Sequence, residues 1–367
     1  MNLRQANGGV LLSVLLLATA FSGCGASGGS TTAGSGGQLS AAGNTSTGGD
    51  PGASGGDTSD PSTSVNTGGT PATASGSNSP AGGANATGGK VATGGAPTTG
   101  GRTGTGGAPV IRCNSDVTVS GCTPGQLTQT GTLNGPYQTY NATIGSKQYF
   151  LQVNEWGSSS TQTMSYGGSY FFKMTQQQAN MPTDNKPAGY PSMFIGANSN
   201  HTTSNRGLPK QVSALGKVLT TWNWADNGTA ADSVNNVFNA AYDVWFSTNG
   251  AEAAASGPSG GYLMVWYYTQ GCQPVGSLTE AGHLVAGMPG CWNVWTGTNN
   301  GKPVISYQHQ GQLSSFGFDL NLFIQDALKN YPTYMNSTWY LTNIFTGFEI
   351  WKGGVNLEST SFCAEVN

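Results

Sequence analysis

The run Phe348-Glu349-Ile350-Trp351, close to the C-terminal end, sets one carboxylic acid among aromatic residues at alternate positions. Sugar rings present C–H groups to aromatic faces, so an acid in such surroundings suits attack on a glycosidic bond. That hydrolysis ordinarily uses two carboxyl groups facing each other across the bond, one as acid and the other as nucleophile or base. A second run, Tyr262-Leu263-Met264-Val265-Trp266, reads as the facing strand, and it offers a phenol where the second carboxyl would stand. A third run places Asp243 in Tyr242-Asp243-Val244-Trp245.

Side chains alternate between the two faces of a strand, so parity assigns each residue to a surface. Over residues 238 to 246, Phe238, Ala240, Tyr242, Val244 and Phe246 form a core face, and Asn239, Ala241, Asp243 and Trp245 form a mixed one. Over residues 262 to 268 the mixed face is Tyr262, Met264, Trp266 and Tyr268, opposite Leu263, Val265 and Tyr267. Over residues 344 to 351 the core face is Ile344, Thr346, Phe348 and Ile350, so Phe345, Gly347, Glu349 and Trp351 face the other way. Asn154 and Trp156 share one parity and Glu155 has the other, which makes Glu155 the poorer candidate.

The elements that must position these residues are short aromatic and β-branched runs broken by Gly, Asn, Ser and Pro, the pattern of a sandwich of two antiparallel sheets. One helix is expected where Leu320, Phe323, Ile324, Ala327 and Leu328 recur at helical spacing, with Asp319 as cap and Pro332 as stop. The fold class is therefore all-β, a jelly-roll sandwich with a single helix.

Four segments carry a family resemblance: Asn154-Glu155-Trp156-Gly157, Gly189-Tyr190-Pro191-Ser192, the stretch from Asn239 to Trp245, and Gly347-Phe348-Glu349-Ile350-Trp351. In this order, with Leu208-Pro209 after the second and Pro274-Val275-Gly276 after Trp266, they resemble glycoside hydrolase family 12. These are jelly-roll endoglucanases and xyloglucanases, and the similarity runs over residues 149 to 362. The resemblance implies a concanavalin-like fold, cleavage of internal β-1,4-glucosidic bonds in cellulose-like glucans or xyloglucan, no cofactor and no metal. It implies Glu349 as acid/base, Asp243 as a supporting acid, and Met264 as the methionine of the nucleophile strand. Trp156 matches an aromatic platform, and Asn154, Trp266 and Trp351 are further expected sugar contacts. Tyr262 stands where the family has its nucleophilic glutamate.

Three readings of that replacement follow. Tyr262 serves as nucleophile, which needs a carboxylate neighbour because a phenol ordinarily titrates near 10, or Asp243 acts as base toward water. Alternatively the protein binds β-glucan without cleaving it. In the third, Glu252 or Glu280 reaches the site.

The rest of the chain bounds the setting. Residues 1 to 23 carry Arg4 and an apolar run over 10 to 21, and Phe21-Ser22-Gly23-Cys24 resembles a bacterial lipobox. Cys24 is thus the expected lipid anchor on the outer membrane or cell surface, the alternative being an ordinary signal and a secreted protein. Residues 24 to 109 are Gly, Ser, Thr, Ala and Asn with almost no apolar side chains, which predicts a disordered tether spanning about 50 Å. Residues 110 to 367 hold every tryptophan and form the expected single domain, a monomer. A net charge of −3 and 8% charged residues argue against a nucleic-acid surface and for a neutral ligand. Cysteine proximity suggests Cys113 with Cys122 and Cys272 with Cys291, leaving Cys363 unpaired. His201, in a turn-rich segment, reads as a surface residue, and the histidines His201, His283 and His309 lack metal-ligand spacing.

Overall fold

Strands form here because β-branched and aromatic residues alternate with polar ones, as in Val218–Ala225, where Val218, Thr220, Trp222 and Trp224 turn inward and their neighbours are half-buried. The computed structural model describes residues 113–115, 117–157, 162–182, 186–204, 206–252 and 257–367. The expected signal, Cys24 and the linker lie outside the described residues.

Two sheets make up the sandwich. The smaller is six-stranded, in the order Gly131–Leu133, Thr163–Gly167, Tyr170–Gln176, Glu358–Val366, Val218–Ala225, Ser315–Asp319. The larger has twelve strands. Its main path runs Ser277–His283, Trp292–Asn299, Lys302–His309, Gly261–Gln270, Val237–Ser247, Tyr340–Gly347, Ser192–Asn198, Lys147–Gln152, Thr139–Ile144. It is not purely antiparallel: Gly261–Gln270 and Lys302–His309 run parallel, with Tyr262 beside Val304 and Met264 beside Ser306.

The main core draws on both sheets, among them Trp222 and Phe362 from the small one and Tyr242, Leu263 and Ile344 from the large one. A second apolar cluster, with Phe150, Phe194, Trp245, Tyr262, Met264, Trp266, Phe345 and Trp351, draws its strand residues from the large sheet alone. It therefore lies on the outer face of that sheet, away from the small one. Val237–Ser247, at the centre, is buried throughout because each of its faces feeds a different cluster.

Parity assigned the faces except at one point. Ala240 pairs with Tyr268 and Ala241 with Trp266, so Tyr267 is an extra residue in its strand. This bulge returns Tyr268 to the core side, where it packs on Trp224 and Phe238. Tyr268 is consequently not on the mixed face with Tyr262, Met264 and Trp266.

The single helix among the described residues, Asn321–Asn330, buries Phe323, Ile324 and Ala327. Asp319 Oδ1 accepts the Asn321 N–H at 3.1 Å and the Val218 N–H at 2.8 Å, tying the helix start to the small sheet.

Both expected disulfide pairs are replaced. Cys113 is bonded to Cys291 and Cys122 to Cys363, and Cys272 is free. Sequence proximity misled because the N-terminal segment runs along distant elements. Thr221 Oγ1 donates to the Cys122 carbonyl at 2.6 Å, and Thr221 is the register partner of Cys363. Likewise Asn114 bridges to Gly290, which sets Cys113 beside Cys291.

Candidate active site

Glu349 follows the end of the Tyr340–Gly347 strand, at a step the chain takes without a side chain. A Cβ on Gly347 would sit 2.3 Å from the Pro191 carbonyl oxygen, so only glycine lets the two segments meet. The Phe348 N–H then bonds that carbonyl at 3.2 Å, and the strand resumes at Ile350–Lys352 against Val237–Ser247. Asn239 clasps Glu349 at three points. Its backbone N–H donates to the Glu349 carbonyl at 3.0 Å, its Oδ1 accepts the Glu349 N–H at 3.0 Å, and its Nδ2 donates to Glu349 Oε2.

Glu349 Oε1 is buried with no hydrogen-bond partner. Burial raises the carboxyl to about 8, with the charge of Asp243 adding and the Asn239 amide opposing. Asp243 behaves similarly. Burial raises it to about 7 against a bond from Trp245 Nε1 to its Oδ2 at 2.7 Å, and its Oδ1 has no partner. Burial thus lifts both carboxyls into the neutral range, and because the Asp243 charge acts on Glu349 their titration belongs to the pair.

Tyr262 lies opposite Trp245 in register, with ring centroids 6.1 Å apart, while Asp243 lies opposite Met264 one pleat away. Burial pushes its phenol upward, and the Asp243 charge pushes it further. Both effects hold it as a neutral hydroxyl, opposite to what an activated nucleophile requires.

The expected sugar contacts divide. Met264, Trp266 and Trp351 are buried in the outer-face cluster, as is Trp245, which holds Asp243 and packs on Phe345 at 4.8 Å. Trp156 is half-buried and packs at the edge of that cluster. Asn154 adopts a left-handed backbone, φ 48°, and its carbonyl accepts the Tyr190 N–H at 2.9 Å. It lines a small cavity with Tyr137, Thr139, Gln152, Asn198 and His201. His201 is therefore not a plain surface residue: it packs on Phe150 at 5.0 Å and shares a 3.3 Å hydrogen bond with Thr139. Glu155 is buried, its Oε2 accepting the Gln162 N–H at 3.2 Å.

Neither alternative glutamate belongs to the cluster. Glu252 sits in an exposed 3-10 turn, and Glu280 lies on the edge strand Ser277–His283, bonded to His283 at 3.0 Å and Tyr331 at 2.7 Å. The reading in which one of them reaches the site is overturned. Asn239 and Ser306 share this face with Asp243 and Met264. Asn239 was legible as a neighbour of Asp243 on the mixed face, whereas Ser306, whose buried Oγ has no partner, left no signal in the sequence.

Residues 147–367 match the model of glycosyl hydrolase family 12. The chain belongs to that family. Among curated relatives, a probable xyloglucan-specific endo-β-1,4-glucanase A of Aspergillus terreus is 31% identical over 161 residues, covering 42% of this chain and 57% of that one. Endoglucanase S of Pectobacterium parmentieri is 27% identical over 233 residues, 61% of this chain and 83% of that one. Among solved structures, an endoglucanase from Rhodothermus marinus superposes with a TM-score of 0.56 at 30% identity, covering 65% of this chain and 99% of that one. The family 12 fold, two sheets with one helix, is what the described residues show.

Proposed function

We propose that this family 12 chain is an endo-acting hydrolase of β-1,4-linked glucans, cellulose-like or xyloglucan, and that Glu349 and Asp243 carry the reaction. The observation that carries it is the clasped, buried Glu349 carboxyl beside a second buried carboxyl on a tryptophan-rich face. Glu349, held protonated, donates its proton to the glycosidic oxygen. Asp243, ionised, accepts a proton from the water that attacks the anomeric carbon. The bond breaks with one new hydroxyl on each fragment, and the pair ends with its protons exchanged. Tyr262 remains a neutral phenol. Names of relatives in the family, endoglucanase and xyloglucan-specific glucanase, support this substrate class. A leader ending just before Cys24 fits a lipid-anchored protein that meets polysaccharide outside the cell, a setting supported by sequence pattern alone.

A second reading, a glucan-binding domain without turnover, is favoured by Tyr262 itself. The test is release of reducing ends from carboxymethylcellulose, mixed-linkage β-glucan and xyloglucan, with the Tyr262→Glu variant alongside. Turnover by the parent supports the hydrolase. If the parent is inert, retained by polysaccharide gels, and gains hydrolysis with Tyr262→Glu, the binding reading replaces it.

A further inference from the structure

The strand Ser277–His283 ends the large sheet, beside Trp292–Asn299. Its backbone pairing is poor: the register breaks between Leu278 and Glu280 and again between Glu280 and His283, and residues 277 to 281 are exposed. A short, irregular edge strand opens locally unless side chains tie it down.

His283 makes that tie. Its Nδ1 lies 3.0 Å from Glu280 Oε1, and its Nε2 lies 2.9 Å from Oδ2 of Asp326 on the helix Asn321–Asn330. Both carboxylates already accept from other donors. Asp326 takes the Tyr307 hydroxyl at 2.8 Å and Asn330 Nδ2 at 2.9 Å, and Glu280 takes the Tyr331 hydroxyl at 2.7 Å. Among the described residues neither carboxylate has a Lys or Arg partner, although the Asp326 side chain is only 7% exposed. A neutral imidazole has one N–H and one lone pair, so one of its nitrogens would face a carboxylate oxygen lone pair to lone pair. Only the imidazolium donates on both sides.

The titratable surroundings agree. The bond to Asp326 raises the imidazole above its ordinary 6.5; burial opposes this and the bond to Glu280 adds to it. Burial pushes the Glu280 carboxyl up, but the bonds from Tyr331 and His283 outweigh it and leave the group below its usual value. Burial keeps Tyr307, on Lys302–His309, and Tyr331, just past the helix, as neutral phenols. Glu280 and Asp326 are thus the charges that the ring meets.

We infer that His283 is a doubly donating imidazolium that latches the edge of the large sheet to the helix, and that the latch opens when the ring loses its proton. Deprotonation removes one N–H and leaves the buried Asp326 carboxylate without its counter-charge. A raised value in the fold means that the latch is complete below about pH 6.5 and is lost as pH rises through the folded value. The strand it holds carries Leu278, the register partner of Trp295, in the sheet that bears Asp243 and Met264. That sheet therefore keeps its full width on the acid side only, whatever it binds.

The test uses the full chain. Nitrogen-15 NMR of the His283 ring at pH 6 should show both nitrogens protonated, with a titration midpoint above 6.5. Hydrogen exchange, corrected for the intrinsic rate, should show residues 277–283 losing about tenfold in protection relative to Val237–Ser247 as pH rises through that midpoint, the size expected of a pair between surface and buried ones. His283→Gln, neutral at every pH, should show the lower protection already at pH 6 and no further fall. If that variant does not fold, Glu280→Gln, at a half-exposed carboxyl, decides: the His283 midpoint should fall, and an unmoved midpoint overturns the latch. A ring with a single protonated nitrogen at pH 6, or an edge strand whose protection follows Val237–Ser247 at every pH, overturns it as well.

Discussion

Replacing Glu349 by glutamine is expected to flatten the pH dependence of stability. A carboxyl raised from 4.5 in the unfolded chain to about 8 in the fold binds more protons folded than unfolded between those values. The sign follows from linkage. Its contribution to stability is fully present below about pH 4.5 and is lost as pH rises through about 8. The ceiling is about 5 kcal/mol at 1.36 kcal/mol per pH unit of difference, and water reaching the group or sharing with Asp243 reduces it. Even a third of that would move the melting temperature by about 3–6 °C in a domain of this size. Glutamine is neutral at every pH and can still accept the Asn239 amide through its own oxygen. Calorimetric melting of parent and Glu349→Gln protein from pH 5 to 9 should give curves that converge at the acid end, with the variant the more stable at pH 9. Parallel curves would refute the claim that burial holds a proton on Glu349.

Activity should follow a narrow bell, with an acid limb near pH 7 from ionisation of Asp243 and an alkaline limb near pH 8 from Glu349, read from initial rates on β-glucan. A plateau extending below pH 5 would exclude Asp243 as the base. Cys363→Ser should cost about 2–5 kcal/mol in urea unfolding, because it opens a link across 241 residues, while Cys272→Ser should be close to neutral. Equal effects would contradict the pairing. Asn239→Leu removes the amide that favours the Glu349 carboxylate and should move the alkaline limb upward by about one pH unit. An unmoved limb would show that Asn239 does not act on Glu349.

Much of this site could be read from alternation alone. Glu349, Asp243, Tyr262 and Met264 share a face because strand periodicity is two, and that rule needs no tertiary information. It failed at Tyr268, where one inserted residue shifts the pleat and nothing local marks the bulge. The disulfides were illegible for a related reason: Cys122 reaches Cys363 only because the N-terminal segment lies along the Val218–Ala225 strand. Exposure was equally hidden. Trp245, Trp266 and Trp351 have the parity of sugar contacts, but packing against their own face makes them its floor, leaving Trp156 and Trp295 half-exposed. Ser306 lies beside Met264 through a parallel pairing that sequence order does not announce.

The anomeric form of the first product tests the chemistry most directly, because Tyr262 and Asp243 demand opposite outcomes. Proton NMR of cellohexaose hydrolysis should show the α-anomer appearing first, as attack by an Asp243-activated water inverts the centre. Early appearance of the β-anomer would mean a covalent glycosyl intermediate, with Tyr262 the nucleophile and Asp243 not the base.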